Sequence, residues 1–427
     1  MVKLGTGFPS GDIDVSVIGA GAAGIAAGRR LAEAGVNFVL LEARSRVGGR
    51  AWTKTAGGFP LDLGCGWLHS GNRNPWTQIA DNSGFTIDRT PAPWTADKHD
   101  QSFTEDEHKD YRAAANAFYA RLDAAVEEAR DRPASDFLVR DGRWNALLNA
   151  ISTYANGAEL EFVSVRDFAH YADDNVNWLV REGYGAMIAA CGAALPVVLD
   201  CPVGGIDHSG TALKIETSRG MLNAKLAIVT LPTAPLTRGA IRFNPLLPEK
   251  LNAAAGLPLG LAEKVVLAID RPDEIPPESR VFGRTDRTGT GAYHLRPFGR
   301  PVIEGFFGGR LARDLEQEGE GSLARFAIEE LVGQFGNGIR PRLRPLIATG
   351  WSNERYSQGS YSHALPGNAG LREMLARPVD NRLFFAGEAC SAESFSTAHG
   401  AYETGIAEAE AAMAALGMDR KDVGSGT

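Results

Sequence analysis

The feature that most narrows what this chain can fold into is a short glycine turn, Gly19-Ala20-Gly21-Ala22-Ala23-Gly24, set between an apolar run and a helical stretch. Residues 13 to 18, IDVSVI, read as a strand, Ala22 to Ala34 as an alanine-rich helix closed by Gly35, and Val36 to Leu41 as a second strand. This is a β-α-β unit of about 30 residues. In a GxGxxG turn the first glycine reverses the chain, the second lets a ligand approach the backbone, and the third lets the helix pack on the strand. The helix then opens with unpaired N–H groups and the positive end of its dipole, a ready seat for a diphosphate. Glu42 closes the second strand 18 residues after Gly24, where a carboxylate accepts hydrogen bonds from an adenosine ribose. Turn and acidic residue together predict dinucleotide binding on an α/β, mainly parallel sheet.

The rest of the chain needs a second body. Its 427 residues exceed one ordinary core and fit two domains. Gly57-Gly58 and the glycines of LDLGCGWLHSG mark a turn-rich segment. From Thr104 to Arg130 the chain becomes rich in Ala, Glu and Arg. Thr104 and Glu107 stand at capping-box spacing and Pro133 ends the pattern, which predicts an exposed helical pair in a different domain. A helix is expected from Ala186 to Leu195, then short strands around Val197, Leu213 to Thr217 and Lys225 to Thr230, ended by Pro232. Residues 271 to 301 read as surface loops and hairpins, Ser322 to Phe335 as an amphipathic helix, and MDRKDVGSGT at the end as a mobile polar tail.

A net charge of −8 argues against nucleic acid as a partner and favours cationic small molecules. Cys65, Cys191, Cys201 and Cys390 lack metal-ligand spacing, so reduced thiols and no metal are expected. MVKLGTGFPSGDID has no apolar leader core, and no stretch is apolar for the roughly 18 residues a membrane span needs. A soluble cytoplasmic protein is the expectation, with a homodimer left open.

ARSRVGGR, residues 43 to 50, adds Ala43, Arg44, Gly48, Gly49 and Arg50 directly after the acidic residue, more backbone and cationic groups for a diphosphate. It resembles the second phosphate motif of glutathione-reductase-like FAD proteins. Three further segments are similar to flavin-containing amine oxidases, polyamine oxidases above all. DLGCGWLHSGNRNP (62 to 75) resembles DLGxxWIHGxxxNP, WSNERYSQGSYSHALPG (351 to 367) resembles WxxxPYSxGSYSxxxPG, and LFFAGEACSAESFSTAHGAYETGIAEAE (383 to 410) resembles GEATxxxxxxTxHGAxxSGxREA.

The resemblance implies a glutathione-reductase-like FAD domain (1–70, 183–236 and 345–427) interleaved with an α+β substrate domain (71–182 and 237–344) that carries a helical insertion at about 104–155. Gly19, Gly21, Ala23, Gly24, Glu42, Ala43, Arg44, Gly49 and Arg50 are then expected on FAD, joined by Gly66, Trp67 and Leu68. By resemblance Val203 contacts the adenine through its backbone, Trp351 and Tyr356 pack near the isoalloxazine, and Glu388, beside Gly387, serves the ribityl and diphosphate region. The helix after Thr397 and Ala398 aims its positive end at the flavin pyrimidine, where reduction deposits negative charge.

LAEKVVLAID, 261 to 270, reads by itself as a buried strand with a solvated lysine near its start. It also resembles the family's NKVVL strand, which implies that Lys264 holds a water at the flavin and assists the reaction with oxygen. Alternation puts Lys264 on the face of Val266 and Ala268, with Val265, Leu267 and Ile269 on the other. His69 falls on the WIHG histidine, where it binds or deprotonates the amine. Tyr361 and Thr397 match the positions flanking the path to the flavin, so only one of that pair is aromatic. Ser360 stands where monoamine oxidases attach FAD through cysteine, which implies non-covalent flavin, and Cys390 in place of the GEAT threonine reads as a packing change.

The implied activity is an FAD-dependent oxidase that turns an amine into an imine and oxygen into hydrogen peroxide. A polyamine or related aliphatic amine is the expected substrate, and a secondary or cyclic amine such as a hydroxynicotine-type alkaloid the alternative. A flavin dehydrogenase or desaturase that avoids oxygen is the alternative from another class.

Overall fold

The computed structural model describes residues 7–9, 11–95 and 99–418; of the expected polar tail, 419–427 lie outside them. Strand Ile13–Ile18 pairs in parallel with Phe38–Leu41 on one side and with Gly220–Val229 on the other. Val197–Val198 extends the parallel sheet beyond Phe38–Leu41, and Leu383–Phe385 lies parallel to residues 227–229. Leu213–Thr217 and Val203–Asp207 add antiparallel strands, and Arg242–Asn244 pairs with the latter, for eight strands in all.

Both faces of this sheet are covered. Val15, Val17 and Leu40 pack with Ile25 and Leu31 of helix Ala22–Glu33 and with Ala409 and Met413 of helix Ala398–Ala415. Val39, Leu41, Ile206, Ile215 and Phe385 build a second core on the other face. Strands buried on both faces have no polar side to show, which is why IDVSVI is almost unbroken. The two helices meet at Gly405, where a Cβ would stand 2.2 Å from the Ala23 carbonyl oxygen. That contact ties the C-terminal helix to the glycine turn.

A second, antiparallel sheet has the order Ser279–Phe282, Ala292–Leu295, Val302–Gly308, Ala262–Ile269, Leu343–Ala348. Val265, Leu267 and Ile269 pack with Ala324, Ala327 and Leu331 of helix Ser322–Phe335. Its other face carries a row running strand to strand, Lys264, Phe306, Ala292, Phe282, fixed by register. A short three-stranded sheet joins Trp67–Leu68, Trp178–Val180 and Ile87–Asp88.

Three local expectations need correction. The helical pair is one helix, Glu105–Ala124, with the capping box formed. Beyond it Val126 is the only large apolar residue before Pro133, too little for a second buried face. The helix placed at 186–195 runs from Tyr184 to Cys191, because Gly192 ends it. Within 271–301, Val281, Tyr293 and Leu295 are interior strand residues, masked in sequence by the polar TDRTGTG between them. No helix among the described residues is long and apolar enough to cross a membrane.

Candidate active site

At the glycine turn Gly19 holds φ +104°, and a Cβ on Gly24 would stand 1.9 Å from the Gly19 carbonyl oxygen, so neither position admits a side chain. The helix begins at Ala22 behind an N-cap, Gly21, that offers no capping side chain, leaving the first N–H groups for a ligand. Gly21 bridges to Gly48, and a Cβ on Gly49 would stand 3.2 Å from the Gly21 Cα, so the two phosphate motifs lie backbone to backbone. Glu42 is buried: its Oε2 accepts from Ala20 N at 2.8 Å and its Oε1 from Arg44 N at 2.9 Å. Ala43 is half-buried beside it. Asp200 N donates to Arg44 O and Cys201 N to Glu42 O, which brings Val203 to the same end. A Cβ at neighbouring Gly204 would meet nothing within 4 Å, so the approach there is open.

Arg44 reaches Glu354, with Nη2 to Oε2 at 2.5 Å, and lies over the Tyr356 ring at 5.5 Å. Tyr356, expected near the isoalloxazine, stands beside Arg44. Two other expected FAD residues face the core. Ala23 packs beneath the C-terminal helix, and Leu68 is fully buried because it alternates with the half-buried Trp67 and His69.

Glu388 has its lone pairs filled by protein donors: Arg50 Nη1 at 2.8 Å, Ser362 Oγ at 2.6 Å and Ser396 N at 3.1 Å. Burial pushes its carboxyl up, but Arg50, Ser362 and Arg372 outweigh burial and hold it below the usual range. Glu388 therefore positions Arg50 and the Ser396–Thr397 turn, and Arg50 is the group left to meet a diphosphate. Gly387 beside it holds φ +141° with open space where a Cβ would be. Glycine cradle, buried ribose-side carboxylate and positioned arginine fit a dinucleotide such as FAD.

Lys264 lies one loop away. Its Nζ donates to the Asp62 carbonyl at 2.9 Å and to the Gly64 carbonyl at 2.7 Å, and it sits 5.4 Å from the Phe306 ring centroid. A Cβ on Gly64 would lie 1.7 Å from Arg50 O, and one on Gly66 would lie 3.3 Å from Lys264 Nζ. Glycine at both positions lets this loop run between Arg50 and the lysine. Trp351, buried, donates from its indole to Leu63 O at 3.1 Å on the same loop. Ser360 Oγ bonds both the N–H and the carbonyl of Ala262, two residues before Lys264.

Asp62, Cys65, His69, Tyr154 and Tyr361 are each half-buried. Burial raises the Asp62 carboxyl, takes the Cys65 thiol up to about 12, raises both tyrosines and lowers the His69 imidazole. His69 Nδ1 stands 2.5 Å from Asn177 Oδ1. The Tyr361 hydroxyl donates to the Tyr154 carbonyl. Thr397 caps the C-terminal helix, accepting from Gly400 N at 3.0 Å, and Ala398 and His399 follow it at the helix start. His399 is buried with Nε2 unpartnered, its imidazole pushed down to about 3 by burial, with His69 and Arg73 adding to the effect.

Sequence reading missed Asp62, Asn177 and the ion pair of Arg372 with Asp167. Asp62 had a signal, since it opens the quoted DLGCG segment. It accepts from the N–H groups of Tyr184 and Gly185, at the start of helix Tyr184–Cys191, at 2.9 and 3.0 Å. Asn177 and Asp167 sit in stretches without motif spacing. Cys390 lies in the apolar core of the large sheet, and all four cysteines are free.

A parallel sheet with a glycine cradle, joined to an antiparallel sheet whose lysine is held by the loop that follows Asp62, defines a two-domain dinucleotide-dependent oxidoreductase. Residues 22–167 and 157–413 match the model of the flavin containing amine oxidoreductase family, and the chain belongs to that family. It is a flavin-dependent amine oxidase. Polyamine oxidase 2 of Arabidopsis thaliana is 29% identical over 93% of this chain and 87% of the relative. Polyamine oxidase 4 of Oryza sativa subsp. japonica is 30% identical over 93% and 88%. Lysine-specific histone demethylase 2 of Homo sapiens is 27% identical over 92% of this chain but 53% of its own length. Among solved structures, putrescine oxidase bound to putrescine superposes with a TM-score of 0.79 at 19% identity, covering 95% of this chain and all of that one. Cyclohexylamine oxidase from Brevibacterium oxydans IH-35A gives 0.78 at 20%, with the same coverage.

Proposed function

We propose that this amine oxidase takes a polyamine or related aliphatic amine as substrate, dioxygen as acceptor, and FAD held without a covalent bond, in the cytoplasm. The carrying observation is the ammonium of Lys264, fixed by the Asp62 and Gly64 carbonyls and close enough to His69 to lower its affinity for a proton. FAD held by the glycine cradle, Glu42 and Arg50 would supply the two-electron chemistry that links amine oxidation to the reduction of oxygen to hydrogen peroxide. The amine loses two electrons and two protons to become an imine, which water then hydrolyses.

The chain's own residues set the conditions. An amine reacts as the neutral base, and His69, kept neutral by burial, offers a place for the amine proton. The Tyr361 hydroxyl is tied back to the Tyr154 carbonyl, so that the ring stands fixed. Lys264 has three N–H donors and two carbonyl partners, which leaves one N–H for a water or for charge developing on reduced oxygen. The Ser360 hydroxyl is engaged with Ala262 and offers no thiol for covalent attachment. Among the relatives, those named polyamine oxidases support the substrate class, as does a net charge of −8.

The test is to mix the yellow holoenzyme anaerobically with putrescine, spermidine, spermine, cyclohexylamine and a hydroxynicotine-type alkaloid, following flavin bleaching, and then to admit air and titrate peroxide. Rapid bleaching by an aliphatic polyamine with stoichiometric peroxide is expected. Bleaching by the cyclic amines alone shifts the substrate class, and reduced flavin stable in air rejects oxygen as acceptor.

A further inference from the structure

We propose that Glu263 and Glu316 share one proton, and that this acid pair positions Lys264 by holding the loop 349–353 in place. The inference rests on the oxygen-reacting role given to Lys264 above and adds two residues to it. Glu263 is 1% exposed, and its Oε1 accepts from Trp351 N at 2.7 Å. Its Oε2 is enclosed and meets no donor. Within hydrogen-bond reach of the carboxyl are Glu316 and the Thr349 hydroxyl, and the latter donates to Lys264 O at 3.3 Å. Two ionised carboxylates offer each other lone pairs alone, so the contact between the two acids is a bond when one of them carries a proton.

Both acids grip the same loop. Glu316, half-buried on helix Gly309–Gln317, accepts from Ser352 N at 3.1 Å, from the Ser352 hydroxyl, and from Asn353 Nδ2 at 3.4 Å. Residues 351 and 352 thus hang on the pair, and the loop is tied to Lys264 twice over. At its start Lys264 N donates to Thr349 Oγ1 at 2.7 Å, and Thr349 N to Lys264 O at 2.9 Å. Further on, the Trp351 indole donates to Leu63 O at 3.1 Å, between the Asp62 and Gly64 carbonyls that receive the ammonium. A displaced residue 351 therefore disturbs the acceptors that fix Lys264 Nζ. Glutamine at 263 would accept from Trp351 without the cost of burying a charge, so what an acid adds is a proton that can leave.

The surroundings keep that proton on at neutral pH. Burial and then Glu316 hold the Glu263 carboxyl well above the usual carboxylate range, opposed by the Thr349 hydroxyl and the Trp351 N–H. Phe307 is its register neighbour on strand Val302–Gly308, and Tyr361 faces it as a phenol that burial and Glu263 both push up. The Lys264 side chain alternates to the other face of the strand, so the groups acting on Glu263 include no cation. A raised carboxyl stays protonated at neutral pH and ionises as pH rises. The two carboxylates then repel each other and loosen residues 351 and 352.

The experiment pairs an infrared spectrum with a rate. Wild-type holoenzyme at neutral pH should show the C=O stretch of a protonated carboxyl that is lost in Glu263→Gln, which separates it from the raised Asp62 carboxyl. As rising pH removes that band, the rate constant of reduced flavin with oxygen, from stopped-flow mixing, should fall about tenfold. Glu263→Ala should show the same loss already at neutral pH, with flavin content unchanged. Glu263→Gln, which accepts from Trp351 and donates to Glu316, should restore the rate and hold it level through the pH range where wild type declines. A wild-type spectrum without the band overturns the shared proton. A rate that stays level while the band titrates, an alkaline decline unchanged in Glu263→Gln, or an alanine variant as fast as wild type overturns the positioning role. If reduced wild-type enzyme does not react with oxygen, the reading of the acceptor fails, and the band still decides the proton.

Discussion

At the scale of single residues, Lys264 shows how a charge is brought inside without an ion pair. Its ammonium is solvated by two backbone carbonyls, Asp62 and Gly64, and the loop that provides them passes between Arg50 and the lysine only because residues 64 and 66 are glycine. Carbonyl dipoles fix the cation in place beside the Asp62 carboxyl, on which its charge acts. Lys264→Met removes that charge and the free N–H while leaving the glycine cradle untouched. Reoxidation of the reduced flavin by oxygen should slow about 100-fold, with flavin content unchanged; stopped-flow mixing of reduced enzyme with oxygenated buffer measures it. An oxygen rate within twofold of wild type would assign the lysine to the fold alone. Lys264 was singled out through the likeness of its strand to NKVVL, because the apolar run alone reads as a strand with a solvated lysine near its start. The carbonyls that receive it were not, since a backbone acceptor leaves no mark on residue type.

At the scale of elements, the cradle is braced by a chain of buried polar contacts running across the molecule. Arg372, on helix Leu371–Ala376, pairs with Asp167 on helix Val165–His170 through two bonds of 2.6 and 2.9 Å, both side chains almost wholly buried. Arg372 also donates to Ser362 Oγ at 3.0 Å, Ser362 Oγ donates to Glu388, and Glu388 holds Arg50. Its guanidinium stacks 3.9 Å from the Phe395 ring centroid. Breaking such a pair from one side strands a buried charge, whereas replacing both partners removes the problem. Arg372→Met should therefore cost about 3–5 kcal/mol in urea unfolding of the holoenzyme and loosen flavin retention through Arg50. Adding Asp167→Leu should return part of that stability. Equal losses in single and double variants would show that the pair is not acting as a unit. The Arg372–Asp167 pair was not legible beforehand, because two residues 205 positions apart and without a motif carry no pairing signal. The capping box at Thr104 was legible for the opposite reason, since all of its chemistry lies within one helical turn.

At the scale of the whole molecule, the two phosphate motifs, the Val203 strand, the Glu388 turn and the C-terminal helix come from distant stretches and converge on one groove. Periodicity and the glycine turn made the parallel sheet readable, while the antiparallel sheet of 262–348 was readable only at its lysine strand and its last helix. Its short strands alternate with polar hairpins and owe their burial to partners that only the assembled fold provides. The convergence makes the cofactor a structural member. A ligand bound only by the native state stabilises it by RT ln(1 + [L]/Kd), about 4 kcal/mol at a thousandfold excess over Kd. Flavin-stripped protein should melt at a lower temperature than holoenzyme, and its midpoint should climb with the logarithm of added FAD concentration. ADP-ribose, which satisfies Glu42 and the glycine turn but not the Lys264 side, should recover only part of the shift. A midpoint that ignores FAD would mean that the groove is rigid before the cofactor arrives and that its convergent elements are held by the two apolar cores alone.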